Sequence, residues 1–193
     1  MNAESDLRGW AAVRRMIFLR HAEPLSTDGA PAPEWPLTEQ GRSDARALGR
    51  SLAEGSPNFT VWTSPERRAA ETAALAFPSA AIEVREQLAE VKKQRYATAD
   101  EHADAVAGYL KGEPVRGWER RDDVVSRLAE LETGIASLED DLIVVSHGVL
   151  LTTWLDHDRG LADPYWFWSN LRMPDAWVVD CEDSSLERIQ PAR

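Results

Sequence analysis

Twice in this chain a short apolar run breaks off at a histidine, and that repetition constrains the fold more than any other feature. Met16-Ile17-Phe18-Leu19 runs into Arg20-His21-Ala22-Glu23, and Leu142-Ile143-Val144-Val145 runs into Ser146-His147-Gly148. Consecutive apolar residues without alternation fit a strand covered on both faces, as in a parallel sheet enclosed by helices. In open sheets of that kind, ligands collect beyond the carboxyl ends of the strands. Each histidine therefore stands where chemistry is expected, and Arg20 puts a cation beside the first.

The intervening chain alternates strands and helices. Residues 24–37 hold Pro24, Gly29, Pro31, Pro33 and Pro36 and read as a loop containing Trp35. Thr38 caps a helix whose stripe is Ala45, Leu48 and Leu52, closed by Gly55. Phe59 to Thr63 reads as a second strand, after which Ser64-Pro65 opens a helix that runs to about Phe77 and stops at Pro78. Ala81 to Val84 is a short third strand, and Arg85 to Tyr96 has no clean period. Helices are expected over about Asp100 to Lys111 and Glu119 to Leu138, the latter burying Val124, Val125, Leu128 and Leu131. A helix starting at Val149 follows the second histidine run, and strands close the chain near Ala176 to Asp180 and Leu186 to Ile189. The pattern predicts an α/β fold, a three-layer α/β/α sandwich around a mostly parallel central sheet. Residues 14–193 form one domain behind an N-terminal segment, 1–13, that is free to fray.

A chain of 193 residues, 43% hydrophobic and 28% charged, suits one soluble domain with a sizeable core. The formal net charge of −11 argues against nucleic acid or an anionic membrane as the main partner, so an anionic substrate would need a local cationic pocket. Cys181, the single cysteine, excludes an intrachain disulfide and reads as inert packing. Residues 1–13 lack a signal-peptide core and no later segment reaches spanning length, so the expected location is cytoplasmic.

Four pieces of sequence belong together: Leu19-Arg20-His21-Ala22-Glu23; Thr63-Ser64-Pro65 with Arg68 and Glu71-Thr72-Ala73; Leu88-Ala89-Glu90; and Val145-Ser146-His147-Gly148. In this order and spacing, from about Met16 to Ile189, the chain resembles the histidine phosphatase superfamily, with its phosphoglycerate mutase-like fold. The resemblance implies a phosphoryl-transfer site in which His21 attacks phosphorus, Glu90 serves as proton donor and then acceptor, and His147 completes the catalytic set. Arg20, Arg68 and His147 would bind the substrate's phosphoryl oxygens. The residue types agree with that chemistry. Guanidinium groups pair with phosphoryl oxygens, a neutral imidazole is a nucleophile, and a carboxyl can protonate a leaving alkoxide.

Ala22 stands where the family commonly has glycine, and Thr27 where its mutases have a phosphate-binding asparagine. Val91-Lys92-Lys93-Gln94-Arg95-Tyr96 replaces the glycine-containing stretch of the mutases. The reading is therefore a phosphatase acting on small phosphorylated substrates or a phosphoprotein, with no cofactor and no metal. A mutase-type phosphotransferase, a non-catalytic module that binds phosphorylated ligands, and a metal-dependent hydrolase are the alternatives. Glu83 and Glu86 rival Glu90 as the acid, and Arg67 beside Arg68 reads as an exposed partner of Glu71. Lys92, Lys93 and Arg95 form either a substrate rim or a solvated face. The aromatic run Tyr165-Trp166-Phe167-Trp168 forms core, a pocket wall or a dimer patch, and Trp118 is ambiguous in the same way. Asp156-His157-Asp158 lacks the spacing of a metal site.

Overall fold

The computed structural model of this protein describes residues 15–55, 58–94, 98–181, 183 and 185–189. The N-terminal segment 1–13, Arg95 and Tyr96 lie outside the described residues. Both histidine runs are strands: β1 is Arg15–Arg20 and β4 is Asp141–Ser146. Helix α1, Glu39–Gly55, leads from β1 to β2, Phe59–Thr63, and α2, Arg67–Ala76, leads on to β3, Ile82–Val84. Then come α3 (Ala99–Leu110), α4 (Arg121–Ala129) and α5 (Glu132–Ile135) before β4, and α6 (Gly148–Arg159) and α7 (Pro164–Ser169) after it. Strands β5, Asp175–Asp180, and β6, Leu186–Arg188, end the sheet.

The six strands lie in the order β3-β2-β4-β1-β5-β6, with β1 to β4 mutually parallel and β5 and β6 antiparallel at one edge. The twofold period of each strand divides its apolar residues between two cores. Ile17, Leu19, Val61, Ile143 and Val145 face α1 and α2 through Leu48, Leu52, Ala69 and Ala73. Met16, Phe18, Trp62, Leu142 and Val144 face the other layer through Val106, Tyr109, Val124, Leu128, Leu150 and Trp154. This double burial is why the central strands read as unbroken apolar runs. Among the described residues, no helix is long and apolar enough to cross a membrane.

Local chemistry sets the element ends. Thr38 Oγ1 accepts from the Gly41 amide at 2.9 Å, the expected cap of α1. At Gly49 a Cβ would lie 2.2 Å from the Ala76 carbonyl oxygen, so glycine is what allows α1 to rest on α2. Two helices depart from expectation. The second begins at Arg67 rather than at Ser64-Pro65, which leaves Glu66 extended and its side chain turned to other partners. The stretch expected as one helix from Glu119 to Leu138 is broken between α4 and α5, and the second piece sets Gly134 against the Trp62 ring. Helix α7 falls where the residue pattern predicts no element; Asp163-Pro164 starts it, with Asp163 accepting from the Trp166 amide at 2.8 Å.

Candidate active site

Strand register brings the site together. Leu19 of β1 and Thr63 of β2 both stand opposite Val145 of β4, so the three strands end side by side. The His21 amide donates to Ser146 O at 2.9 Å and the Ser64 amide to Val145 O at 3.0 Å, extending the ladder past the strands. His21 and His147 are thereby set with ring centroids 5.2 Å apart.

The His21 ring is buried, and its Nδ1 lies 2.8 Å from the carbonyl oxygen of Ala22. A carbonyl only accepts, so Nδ1 carries the proton and Nε2 keeps its lone pair. That nitrogen accepts from Arg68 Nε at 3.1 Å. Burial first, and then the Arg68 charge, lower the His21 pKa to about 3, which keeps the imidazole neutral at physiological pH. The Ala22 amide donates to Thr72 Oγ1 at 3.0 Å, fixing the backbone behind the ring to α2.

Arg68 is the bridge of the site. Its Nη2 donates to His147 Nδ1 at 3.0 Å and lies 2.6 Å from Glu66 Oε2, and its Nη1 donates to Ala32 O at 2.6 Å. Because Nδ1 of His147 accepts from a guanidinium, its proton sits on Nε2 and faces Ser64 Oγ at 2.7 Å. Burial, Arg68 and His21 together hold His147 well below its ordinary pKa. Arg20 donates from Nη1 to Leu171 O at 3.0 Å, while its buried Nε has no hydrogen-bond partner among the described residues. A Cβ at Gly148 would lie 3.3 Å from that Nε and 3.2 Å from Trp168 Nε1, so glycine is needed there for Arg20 and Trp168 to close in.

Two carboxylates flank these groups in contrasting ways. Glu90 Oε1 accepts from the amides of Val91 and Leu150, both at 3.0 Å, and Oε2 lies 3.4 Å from Lys93 Nζ. The Leu150 amide is at the start of α6, where helix N–H groups favour an anion. Burial opposes ionisation of Glu90, but Lys93, these amides and Arg68 outweigh it and hold the pKa down to about 2. Glu66 is 8% exposed, and its Oε1 accepts from the Glu90 amide at 2.8 Å and lies 3.7 Å from His147 Nε2. Here burial prevails over Arg68 and the carboxyl pKa is raised.

A sequence model described as "Histidine phosphatase superfamily (branch 1)" matches residues 16–183. The chain belongs to the histidine phosphatase superfamily. Its structure is similar to mycobacterial glucosyl-3-phosphoglycerate phosphatase, at 21% identity and TM-score 0.66, covering 93% of this chain and 99% of that one. It is also similar to Bacillus stearothermophilus YhfR, at 22% identity and TM-score 0.69, covering 90% and 94%. A phosphoglycerate mutase from Bacillus anthracis follows at 19% identity and TM-score 0.67, covering 94% of each chain. The mycobacterial phosphatase also has structures in complex with VO3 and with inorganic phosphate. Comparison with curated proteins returns no match.

For this member of the superfamily, His21, His147, Arg68, Arg20 and Glu90 all surround the strand ends. Arg67 is outside the cluster and pairs with Glu71 at 2.8 Å, and Glu83 pairs with Arg85 at 2.5 Å. Thr27 is exposed and donates to Leu25 O at 3.3 Å. Of the basic run, Lys92 is exposed whereas Lys93 joins the site, its ammonium 5.2 Å from the Trp118 ring centroid. The aromatic run divides: Phe167 is core, Trp166 is exposed, and Trp168 reaches Gly148 and meets His102 edge-on at 5.8 Å. Asp156 pairs with Arg121 at 2.5 Å and Asp158 with Arg159 at 2.7 Å, while His157 is exposed. Cys181 is half-buried, and burial pushes its thiol up to about 11.

Sequence reasoning missed Glu66, His102 and the groups that hold the Glu90 loop. Arg127 donates to the carbonyls of Gln87 and Ala89 and to Glu119, and Ser146 Oγ donates to Leu88 O at 2.7 Å. Glu66 had a legible signal in its place two residues before Arg68, where a buried guanidinium needs a counter-charge. The Arg127 contacts span about forty positions and leave no local trace.

Proposed function

We propose that this chain hydrolyses phosphomonoesters through a phosphohistidine on His21. The observation that carries the reading is the Arg68 guanidinium spanning both imidazoles, 3.1 Å from His21 Nε2 and 3.0 Å from His147 Nδ1. In the first step the Nε2 lone pair attacks phosphorus, the ester P–O bond breaks, and the leaving alkoxide takes up a proton from water, since Glu90 is held ionised and has none to give. The Nδ1–H keeps donating to the Ala22 carbonyl oxygen, whose dipole steadies the positive charge that develops on the ring. Arg68 moves its Nε–H from His21 onto a phosphoryl oxygen, and Arg20 brings its unpartnered Nε.

His147 takes part by a change of tautomer. The Ser64 hydroxyl both donates and accepts, so once Arg68 Nη2 turns from Nδ1 to the phosphoryl group, Nε2 can become the acceptor and the ring proton can move to Nδ1 as a further donor to that group. In the second step water attacks phosphorus and the N–P bond breaks. Glu90, held ionised, is suited to take the water's proton.

The test is hydrolysis of p-nitrophenyl phosphate with a chelator present, by wild type and His21→Ala, with samples quenched in alkaline denaturant to preserve any N–P bond. Turnover by wild type, none by the variant, and phosphate trapped on His21 are expected, with inhibition by vanadate. Activity that persists in His21→Ala, or that the chelator abolishes, overturns the reading. A trapped phosphohistidine that yields no inorganic phosphate replaces hydrolysis with transfer to a second hydroxyl.

A further inference from the structure

A carboxylate is an unexpected lining for a phosphoryl site, since it repels the group the site must bind. Glu66 nevertheless sits inside this one, its Oε2 2.6 Å from Arg68 Nη2. Arg68 already directs N–H groups at His21, His147, Ala32 and Glu66, four of the five it possesses. A phosphoryl group that takes over the Nε–H from His21 displaces only a neutral partner, but its charge must also share the guanidinium with Glu66, the anionic one of the four.

We infer that Glu66 makes phosphoryl binding proton-linked: its carboxylate pairs with Arg68 until the phosphoryl anion arrives, and it takes up one proton from solvent as that anion takes over the guanidinium. The inference rests on the phosphoryl-binding role proposed for the site. Among the described residues, three ionisable neighbours face Glu66. They are Arg68 at the start of α2, Glu90 on the loop whose amide it accepts, and His147 at the end of β4, 3.7 Å away. Arg68 is the only cation of the three, because His147 is neutral and Glu90 is ionised. Once the anion shares Arg68, Glu66 faces two negative neighbours with its countercharge divided, and it is buried and tethered by the Glu90 amide. A carboxyl so placed takes up a proton rather than remain charged.

Glu90 does not compete for that proton, since Lys93 and backbone amides hold it ionised. Two adjacent carboxyls with opposed environments thus divide into one that gains a proton as the phosphoryl group binds and one that stays ionised until water attacks. Protonation also turns a repelling oxygen of Glu66 into a donor for the phosphoryl group. The burial that already raises its pKa acts in the same direction.

The experiment is calorimetric titration of wild type, Glu66→Gln and Glu66→Leu with inorganic phosphate, near pH 8 where the ligand is the dianion. Buffers of different ionisation enthalpy count the protons taken up, and thermal unfolding shows that each variant is folded. Wild type should take up about one proton more than Glu66→Gln. Its Kd should weaken by up to about tenfold per pH unit relative to that variant, the limit for one coupled proton. Glu66→Leu should lose the same proton. Equal uptake and equal pH dependence in wild type and both variants overturn the inference while leaving the phosphatase reading intact. Absence of phosphate binding by folded wild type overturns the phosphoryl-binding reading and this inference with it.

Discussion

Acid should destabilise this protein well before its carboxylates titrate, and His21 is the residue on which to measure it. Its pKa is about 3 in the folded chain against 6.5 as the ordinary value. A group whose folded pKa is depressed contributes stability that is complete above its unfolded pKa and is lost as pH falls toward the folded one. The window therefore opens near pH 6.5 and closes near pH 3. At 1.36 kcal/mol per pKa unit the whole window is worth about 5 kcal/mol, of which about 2 kcal/mol falls between pH 7 and pH 5. His147 and His102, both depressed through burial, add in the same direction. Glu66, whose pKa is raised, acts oppositely, gaining relative stability as pH falls. The His21 share is isolated by measuring urea unfolding of wild type and His21→Gln at both pH values, with tryptophan fluorescence as the signal. Wild type should lose about 2 kcal/mol more than the variant between pH 7 and pH 5. A difference below about 0.5 kcal/mol would refute the argument, since a buried neutral imidazole must then be accepting its proton inside the fold.

The other predictions concern single side chains. Gly49→Ala drives a methyl group to within 2.2 Å of the Ala76 carbonyl oxygen and should cost about 1–3 kcal/mol, read as a lowered urea midpoint. Arg68→Lys keeps the charge but cannot span both imidazoles, so kcat/KM for p-nitrophenyl phosphate should fall by about 10²–10³-fold, and an unchanged value would remove Arg68 from the clamp. Glu90→Gln should lower kcat by about 10²–10⁴-fold while phosphate binding persists, and full turnover would end its role in proton transfer.

Much of the fold was legible because the sheet is covered on both sides. Burial on two faces writes an unbroken apolar run, and β1 and β4 were readable for that reason, as was the Thr38 cap that starts α1. The stretch from Glu119 to Leu138 does not read as two pieces because its apolar period continues across the break, and the Trp62 ring that packs on Gly134 comes from a distant strand. Ser64-Pro65 looked like a helix start on local chemistry, yet the Ser64 amide extends the ladder to Val145 and its hydroxyl meets His147. Local helix preference yields there to a tertiary contact.

The division between legible and hidden parts of the site follows the same physics. His21 and His147 are announced by the strands that deliver them, and their separation follows from register: a slip of β4 by one residue along β1 would turn the His147 side chain to the other face of the sheet. The state of the carboxyls is announced by nothing local. Glu66 and Glu90 are the same residue type on adjoining segments, bonded through the Glu90 amide, yet their proton affinities are driven apart. What separates them is Lys93 and the start of α6 on one side and burial against Arg68 on the other. Proton chemistry at this sheet edge is therefore a property of the assembled environment, which residue type alone does not specify: the same side chain is held ionised at Glu90 and is biased towards its acid form at Glu66.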